Sequence, residues 1–255
     1  RIGSDGSYHM GVGVDLLYNF TANHYIDLKT ASTFNDSNHS DLIEQSLFRI
    51  NFSRRTSRGF YYDISALRSG SFYLPEIGFN PRFNYSQFNL DLSYGHFSQP
   101  DSKVRIINPS FNSTLILRNE DRSVETFELE QPWEIEFKNN AEIRVTANVW
   151  YEDIRFPLFF SDNAFVEAGS YWFWGLEGRY EMPSANALRA SFSTRAGTFY
   201  DGNQYSVTIS PAWNPSRYFE LSADAEFNYL NFPARDQSEY LHLFRLRSIA
   251  AINTK

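Results

Sequence analysis

The chain contains no cysteine, which removes both a disulfide framework and any thiolate chemistry. It has no apolar run long enough for a membrane helix and no leader-like segment at Arg1, so it reads as mature or as a fragment of a longer chain. Basic residues are outnumbered 23 to 30, giving a net charge of −7, and nucleic acid is excluded as a partner. The five histidines (His9, His24, His39, His96 and His242) are scattered without metal-ligand spacing. No nucleophile elbow, phosphate loop or zinc motif is present. The composition therefore implies neither cofactor nor metal. What the chain has in excess is aromatic residues: 18% of its 255 positions, roughly twice the share of an average soluble domain.

Those aromatics fall into a period of two. Met10, Val12, Val14, Leu16, Tyr18 and Phe20 share one face, with Gly11, Gly13, Asp15 and Asn19 on the other. Similar alternation marks 24–34, 42–52, 60–66, 88–94, 107–117, 127–137, 141–151, 172–182, 188–196, 205–213 and 219–229. This is the pattern of half-buried strands. The segment 240–252 is ambiguous, with apolar residues in both phases. About thirteen strands and no helix are expected. Connections alternate between short (Thr21-Ala22-Asn23, Arg55-Thr56-Ser57, Lys138-Asn139-Asn140, 183–186, 214–217) and longer (35–41, 68–82, 153–169, 231–239). Asp201-Gly202-Asn203 is a tight hairpin turn. An up-and-down meander with two unlike ends produces such an alternation, and in outer-membrane barrels the longer loops face outward.

Strands of roughly ten to fourteen residues exceed the usual five or six and match what a tilted strand needs to cross a bilayer. The fold class expected is all-β: an up-and-down antiparallel transmembrane β-barrel. About thirteen strands are visible, and the odd count implies part of a roughly 14–16-stranded barrel. Residues 1–255 read as a single β-barrel domain. Tyr18, Trp172, Trp174, Tyr180, Trp213 and Tyr229 near strand ends are the expected membrane girdle. Arg49, Asp91, Glu128, Arg144, Glu177, Arg179, Arg195 and Glu226 fall on polar faces and are the expected lumen charges, since shielded charges must pair. The bilayer would then be the principal partner and the bacterial outer membrane the location. A mean hydropathy of −0.45 does not oppose this, because a barrel shows lipid only every second residue.

The strongest break in the pattern is Ser71-Phe72-Tyr73-Leu74-Pro75-Glu76-Ile77-Gly78-Phe79-Asn80-Pro81-Arg82. Its prolines exclude a regular strand, and it is too apolar for an ordinary solvated loop. It falls on the long-loop side. Phe72, Leu74, Ile77 and Phe79 are expected to fold over or into the barrel mouth as a plug or gate. Tyr73, Pro75, Gly78 and Pro81 belong to the same segment, and Glu76 and Arg82 should be tied to lumen charges. Within it, Pro75-Glu76-Ile77-Gly78-Phe79-Asn80-Pro81-Arg82 resembles a "PE-(I/V)-GF-x-PR" segment of a Bacteroidota envelope family. Trp213-Asn214-Pro215-Ser216-Arg217-Tyr218-Phe219-Glu220-Leu221 resembles that family's short proline turns. Its members pair an N-terminal carbohydrate-binding, family-nine-like domain with a C-terminal domain of uncharacterised function, thought to be an outer-membrane barrel. The resemblance implies the barrel domain, without catalytic residues to carry over.

A second loop, Asp153 to Gly169, holds Phe156, Phe159, Phe160 and Phe165. Such a loop can cap a barrel mouth, stack on a glycan or bind an envelope protein partner. The acidic face Glu125, Glu128, Glu130, Glu134 and Glu136 could supply a carboxylate pair for glycoside hydrolysis, although a wet lumen explains it equally well. The expected role is non-enzymatic: a pore-forming or scaffolding envelope component, linked to glycan handling or a larger outer-membrane complex. The alternatives are a soluble β-rich glycan-binding domain and a glycoside hydrolase using the acidic face.

Overall fold

A computed structural model describes residues 8–35, 41–75, 82–161 and 164–251. Its strands are β1 (His9–Thr21), β2 (His24–Asn35), β3 (Ser46–Arg54), β4 (Gly59–Ser69), β5 (Tyr85–Phe97), β6 (Val104–Arg118), β7 (Val124–Phe137), β8 (Glu142–Ile154), β9 (Leu158–Ser161), β10 (Ala164–Val166), β11 (Gly169–Glu181), β12 (Leu188–Phe199), β13 (Gly202–Ser216), β14 (Phe219–Phe232) and β15 (Gln237–Ala250). Thirteen of them form one sheet in the order β1 to β8, then β11 to β15, while β9 and β10 pair separately. Each strand of the large sheet lies beside its predecessor in that series, an up-and-down meander, with β1 and β15 the first and last in the order. Only a single 3₁₀ turn, Pro233–Arg235, interrupts the strands among the described residues.

Some expected boundaries shift, among them the start of the strand read from Leu42, which begins at Ser46 after a turn. The connection read as 231–239 shrinks to the 3₁₀ turn, because Asn231 and Phe232 remain in β14. The proline turn at 214–217 shortens as well, because β13 runs through Pro215 to Ser216 and pairs there with Phe219. Proline is tolerated at that strand end because its missing N–H costs no interior ladder bond. The chain divides into two compact units, residues 1–93 with 112–128, and residues 94–111 with 129–255, the division running through β5, β6 and β7.

In the first unit the registers set rows across the strands. Leu16–Leu28–Ile50–Ala66 and Tyr18–Ile26–Phe52–Ile64 lie on one face. Leu17–Asp27–Asn51–Ser65 and Asn19–Tyr25–Ser53–Asp63 lie on the other. The apolar rows are the open ones: Leu16, Ile50 and Ile64 are exposed, whereas Asn51, Ser53 and Ser65 are buried. At the short-turn end the apolar face closes with an aromatic row, Phe20 on Phe52 at 5.7 Å and Phe52 on Tyr62 at 5.1 Å.

The second unit repeats the arrangement. Ala147–Leu176–Ala196–Tyr205–Tyr229–Tyr240 forms one apolar row, and Thr146–Glu177–Arg195–Ser206–Asn228–Leu241 runs beside it on the opposite face. Trp172 and Trp174 are 63% and 59% exposed, while Asn148 on the polar face is 3% exposed. Water-soluble sheets bury the apolar face and wet the polar one; here the exposure is reversed.

A candidate functional site on the polar face

The polar face carries paired charges, both across strands and along them. Arg195 on β12 donates to Glu177 on β11 at 2.9 Å, directly opposite in register. Arg144 on β8 reaches Glu134 on β7 at 2.5 Å and Glu142 at 3.5 Å. Arg179 pairs with Glu181 at 2.6 Å, and Arg189 with Glu220 at 3.1 Å. Asn228 donates to Glu226 at 2.7 Å. In the first unit the face is mostly amide and hydroxyl. Asn89 donates to Ser65 at 2.9 Å and accepts from Thr114 at 3.1 Å, and Asn51 donates to Asp63. Of the expected lumen charges, Arg144, Glu177, Arg179, Arg195 and Glu226 therefore sit in these networks. Arg49 lies between Lys29 and Leu67 in register on the same face. Asp91 and Glu128 make interactions of their own.

Three of the five acidic residues considered for hydrolysis are held by arginine. Glu125 is bound by Arg82 at 2.9 Å with Arg118 at 3.9 Å, Glu134 by Arg144, and Glu136 by Arg105. These pairings tie the acidic face into the arginine network of the polar face. Among the described residues no group of three His, Cys, Asp or Glu side chains is placed to hold a metal ion.

The feature that periodicity did not reveal lies at the long-loop end of the second unit. Within residues 153–169, read as a loop, Leu158–Ser161 and Ala164–Val166 pair as the β9–β10 hairpin. Ala164 and Val166 are fully buried, packed with Leu230 and Phe232 of β14 and flanked by Ile154, Phe160, Tyr171, Phe199, Tyr200 and Leu241. Phe160 lies 5.4 Å from Phe199 and 6.5 Å from Phe232. Arg235 clips the assembly: it pairs with Asp201 at 2.8 Å and lies over the rings of Phe232 at 4.5 Å and Phe165 at 5.3 Å. Tyr200, in the β12–β13 turn at a φ of 51°, donates to Glu152 at 2.5 Å. Its hydroxyl is pushed up from the ordinary tyrosine range by burial first, then by the hydrogen bond to Glu152. The other side of the hairpin is bare, with Phe156 at 79% and Phe159 at 74% exposure, Phe159 stacked on Phe165 at 5.7 Å. The four phenylalanines thus divide: Phe160 docks, Phe165 supports, and Phe156 and Phe159 face outward from the docked surface.

A signal for this docking existed in the sequence. Trp150, Phe173, Phe199, Leu230, Phe232 and Leu241 occupy the phase that elsewhere holds charges and amides, and each lies toward the long-loop end of its strand. Apolar residues in the polar phase require a cover that neither water nor a charge network supplies.

The 71–82 segment is only partly described; Glu76, Ile77, Gly78, Phe79 and Pro81 lie outside the described residues. Arg82 is tied to the polar-face carboxylate Glu125, and to Thr126 at 3.1 Å. Phe72 and Leu74 differ from expectation: both stay exposed rather than folding inward. Their backbone explains it. The Phe72 amide donates to the Glu44 carbonyl at 2.8 Å and the Leu74 amide to Thr33 Oγ1 at 3.0 Å, so the segment runs beside the end of β2 and the 41–45 turn. Tyr73, Leu74 and Pro75 line a groove of about 440 Å³ with β1 and β2.

Glu44 anchors that segment. It accepts from the Ser71 amide at 3.0 Å and hydroxyl at 2.9 Å and pairs with Arg68. The Ser71 amide, with the Arg68 and Ser71 side chains, holds its carboxyl below the usual carboxylate range. A depressed pKa stabilises the anchored form above the unfolded carboxylate value, and this is lost as pH falls through the folded one. The protection of the amides of residues 71–74 relative to the unstructured chain at the same pH should therefore be high at neutral pH and be lost in acid, as Glu44 protonates. In Glu44→Gln that protection should be low throughout; a protection factor that does not change with pH in the unsubstituted chain would contradict the anchor.

The expected girdle residues Tyr18, Trp172, Trp174, Tyr180 and Trp213 are all exposed on the apolar face, and Tyr229 lies in the Tyr205–Tyr229–Tyr240 stack there. No helix among the described residues is long and apolar enough to cross a membrane. No family model matches the chain and no curated protein matches it in sequence.

Proposed function

We propose that the chain is a non-enzymatic outer-membrane β-barrel protein, pore-forming or scaffolding, with the lipid bilayer as its principal partner. One observation carries the reading: large apolar side chains such as Leu16, Ile50, Trp172 and Trp174 are exposed on one face, whereas Asn51, Ser53, Ser65, Thr146 and Asn148 on the polar face are buried. Water disfavours that arrangement by about 25 cal/mol per Å² of apolar surface left open; lipid reverses the sign. The band has the right height. Trp172 to Tyr180 on β11 spans roughly 27 Å at about 3.4 Å per residue, or roughly 20 Å once tilted by 35–45°, against an apolar band of about 25 Å in such barrels. The polar face is then the lumen, and β1 and β15 join through further strands to a barrel of roughly 14–16. The β9–β10 hairpin lies against the lumen wall at the outward end and narrows it. Phe156 and Phe159 offer an aromatic surface there for a glycan or an envelope protein, in keeping with the envelope-family resemblance.

Extraction tests this reading. The protein should leave the membrane fraction only with detergent and should migrate differently on a denaturing gel before and after boiling. A protein that stays folded and monodisperse without detergent would overturn it.

A further inference from the structure

The apolar face of the first unit is not uniform. A groove of about 560 Å³ crosses it, lined mainly by apolar side chains such as Leu16, Leu28, Ile50 and Phe88, with the cations Lys29, Arg49 and Arg68 also at its lining. Its depth follows from the registers. Row Val14–Thr30–Phe48–Arg68 and row Leu16–Leu28–Ile50–Ala66 each hold one small side chain among larger ones, and Thr30 and Ala66 leave a depression between Leu16, Phe48, Ile50 and Phe88. The volume falls within the range of about 300–1,000 Å³ typical of small-molecule sites.

One end of this groove is charged, on a face that is otherwise apolar. Arg68 stands at the long-loop end of β4, two-thirds shielded. It donates one N–H to the Ile43 carbonyl at 3.1 Å and pairs with Glu44 through a second nitrogen. Of the five N–H groups of a guanidinium, this leaves three, held in a fixed orientation by the first two contacts. Ser86 beside it spends its O–H on Asn119 at 2.7 Å, so the donors offered here are those of the guanidinium. A guanidinium fixed at the rim of an apolar groove matches a phosphate joined to a hydrocarbon chain.

We propose that this groove is a specific lipid site: it holds one acyl chain of an anionic phospholipid, whose head-group phosphate is bound by Arg68. The proposal rests on the membrane reading and deepens it, because bulk lipid would wet every apolar row equally, whereas this site retains one molecule of one charge class.

The test is native mass spectrometry of the detergent-purified protein, equilibrated in micelles with equal amounts of phosphatidylglycerol and phosphatidylcholine bearing identical chains. A single phosphatidylglycerol adduct should dominate, about tenfold over phosphatidylcholine. Arg68→Gln should bring the two adducts to within about twofold of each other. Ala66→Trp and, separately, Thr30→Phe fill the depression and should each reduce the adduct about tenfold; the boiling-dependent gel shift verifies that each variant is folded. Adduct levels unchanged in a folded groove-filled variant, an unchanged head-group preference in Arg68→Gln, no adduct, or a protein dimer in its place would each overturn the proposal. Its failure is distinct from that of the membrane reading, which fails only if the protein needs no detergent.

Discussion

Leu176→Arg should destabilise the protein folded in a bilayer by about 2–4 kcal/mol. Leu176 is an exposed residue of β11, midway along the apolar face between Trp174 and Tyr180, in register with Ala147 and Ala196. In a water-soluble protein an arginine at such a position would change stability by no more than about 0.5 kcal/mol. At the midplane of a bilayer it costs about 2–4 kcal/mol, a penalty that falls to about 0–1 near the interface. Leu188 supplies the control. It is just as exposed but begins β12 at the short-turn end, opposite Trp213, so Leu188→Arg should be nearly silent. Refolding into vesicles with denaturant titration reads both variants. Equal effects would contradict the assignment of the apolar face to lipid.

The second large effect belongs to the hairpin. Val166 is fully buried against Leu230 and Phe232, a contact of about 1.5–3 kcal/mol for the side chain alone. Val166→Asp would bury a carboxylate in that apolar cluster, where the neighbouring cation, Arg235, is already paired with Asp201, at a cost on the order of 3 kcal/mol or more. The hairpin can escape this cost by undocking, since its own sheet has only two short strands. The large sheet does not depend on it: β8 and β11 pair with each other over thirteen residues without β9 or β10. The expected result is selective protease sensitivity around Phe156–Phe159 with the folded gel form retained, and a higher single-channel conductance in planar bilayers. Global unfolding would show that the hairpin is part of the sheet's stability rather than a separable constriction. Unchanged conductance with a cleaved hairpin would favour the scaffolding role.

Most of the architecture was legible because it rests on a period of two. Strand positions, their length and the antiparallel meander followed from alternation such as Phe219 to Tyr229, where every second residue is apolar. Where alternation stops, the reading stops. Leu158-Phe159-Phe160 is apolar in both phases, and β9 and β10 are too short to display a period, so the hairpin read as loop. β15 was ambiguous for a different reason. Its even residues continue the apolar rows of β14 while Leu241 meets the hairpin cluster, so both phases carry apolar side chains. The inward folding expected of Phe72 and Leu74 was inferred from hydrophobicity alone. Backbone bonds to Glu44 and Thr33 decided the path of that segment, and such bonds leave no compositional trace. The groove at Ala66 and Arg68 was equally invisible, because it depends on the registers of four consecutive strands.

The central claim is that the apolar face meets hydrocarbon, and the tryptophans report on it directly. Trp133, Trp172, Trp174 and Trp213 are exposed on that face, whereas Trp150 lies on the polar face, stacked on Phe173 at 5.4 Å with Arg195 over its ring. In vesicles of phospholipid brominated along the acyl chains, most of the tryptophan emission should be quenched, and the residual emission should disappear in Trp150→Phe. Emission that brominated chains leave intact but aqueous acrylamide quenches would place those four side chains in water and contradict the account.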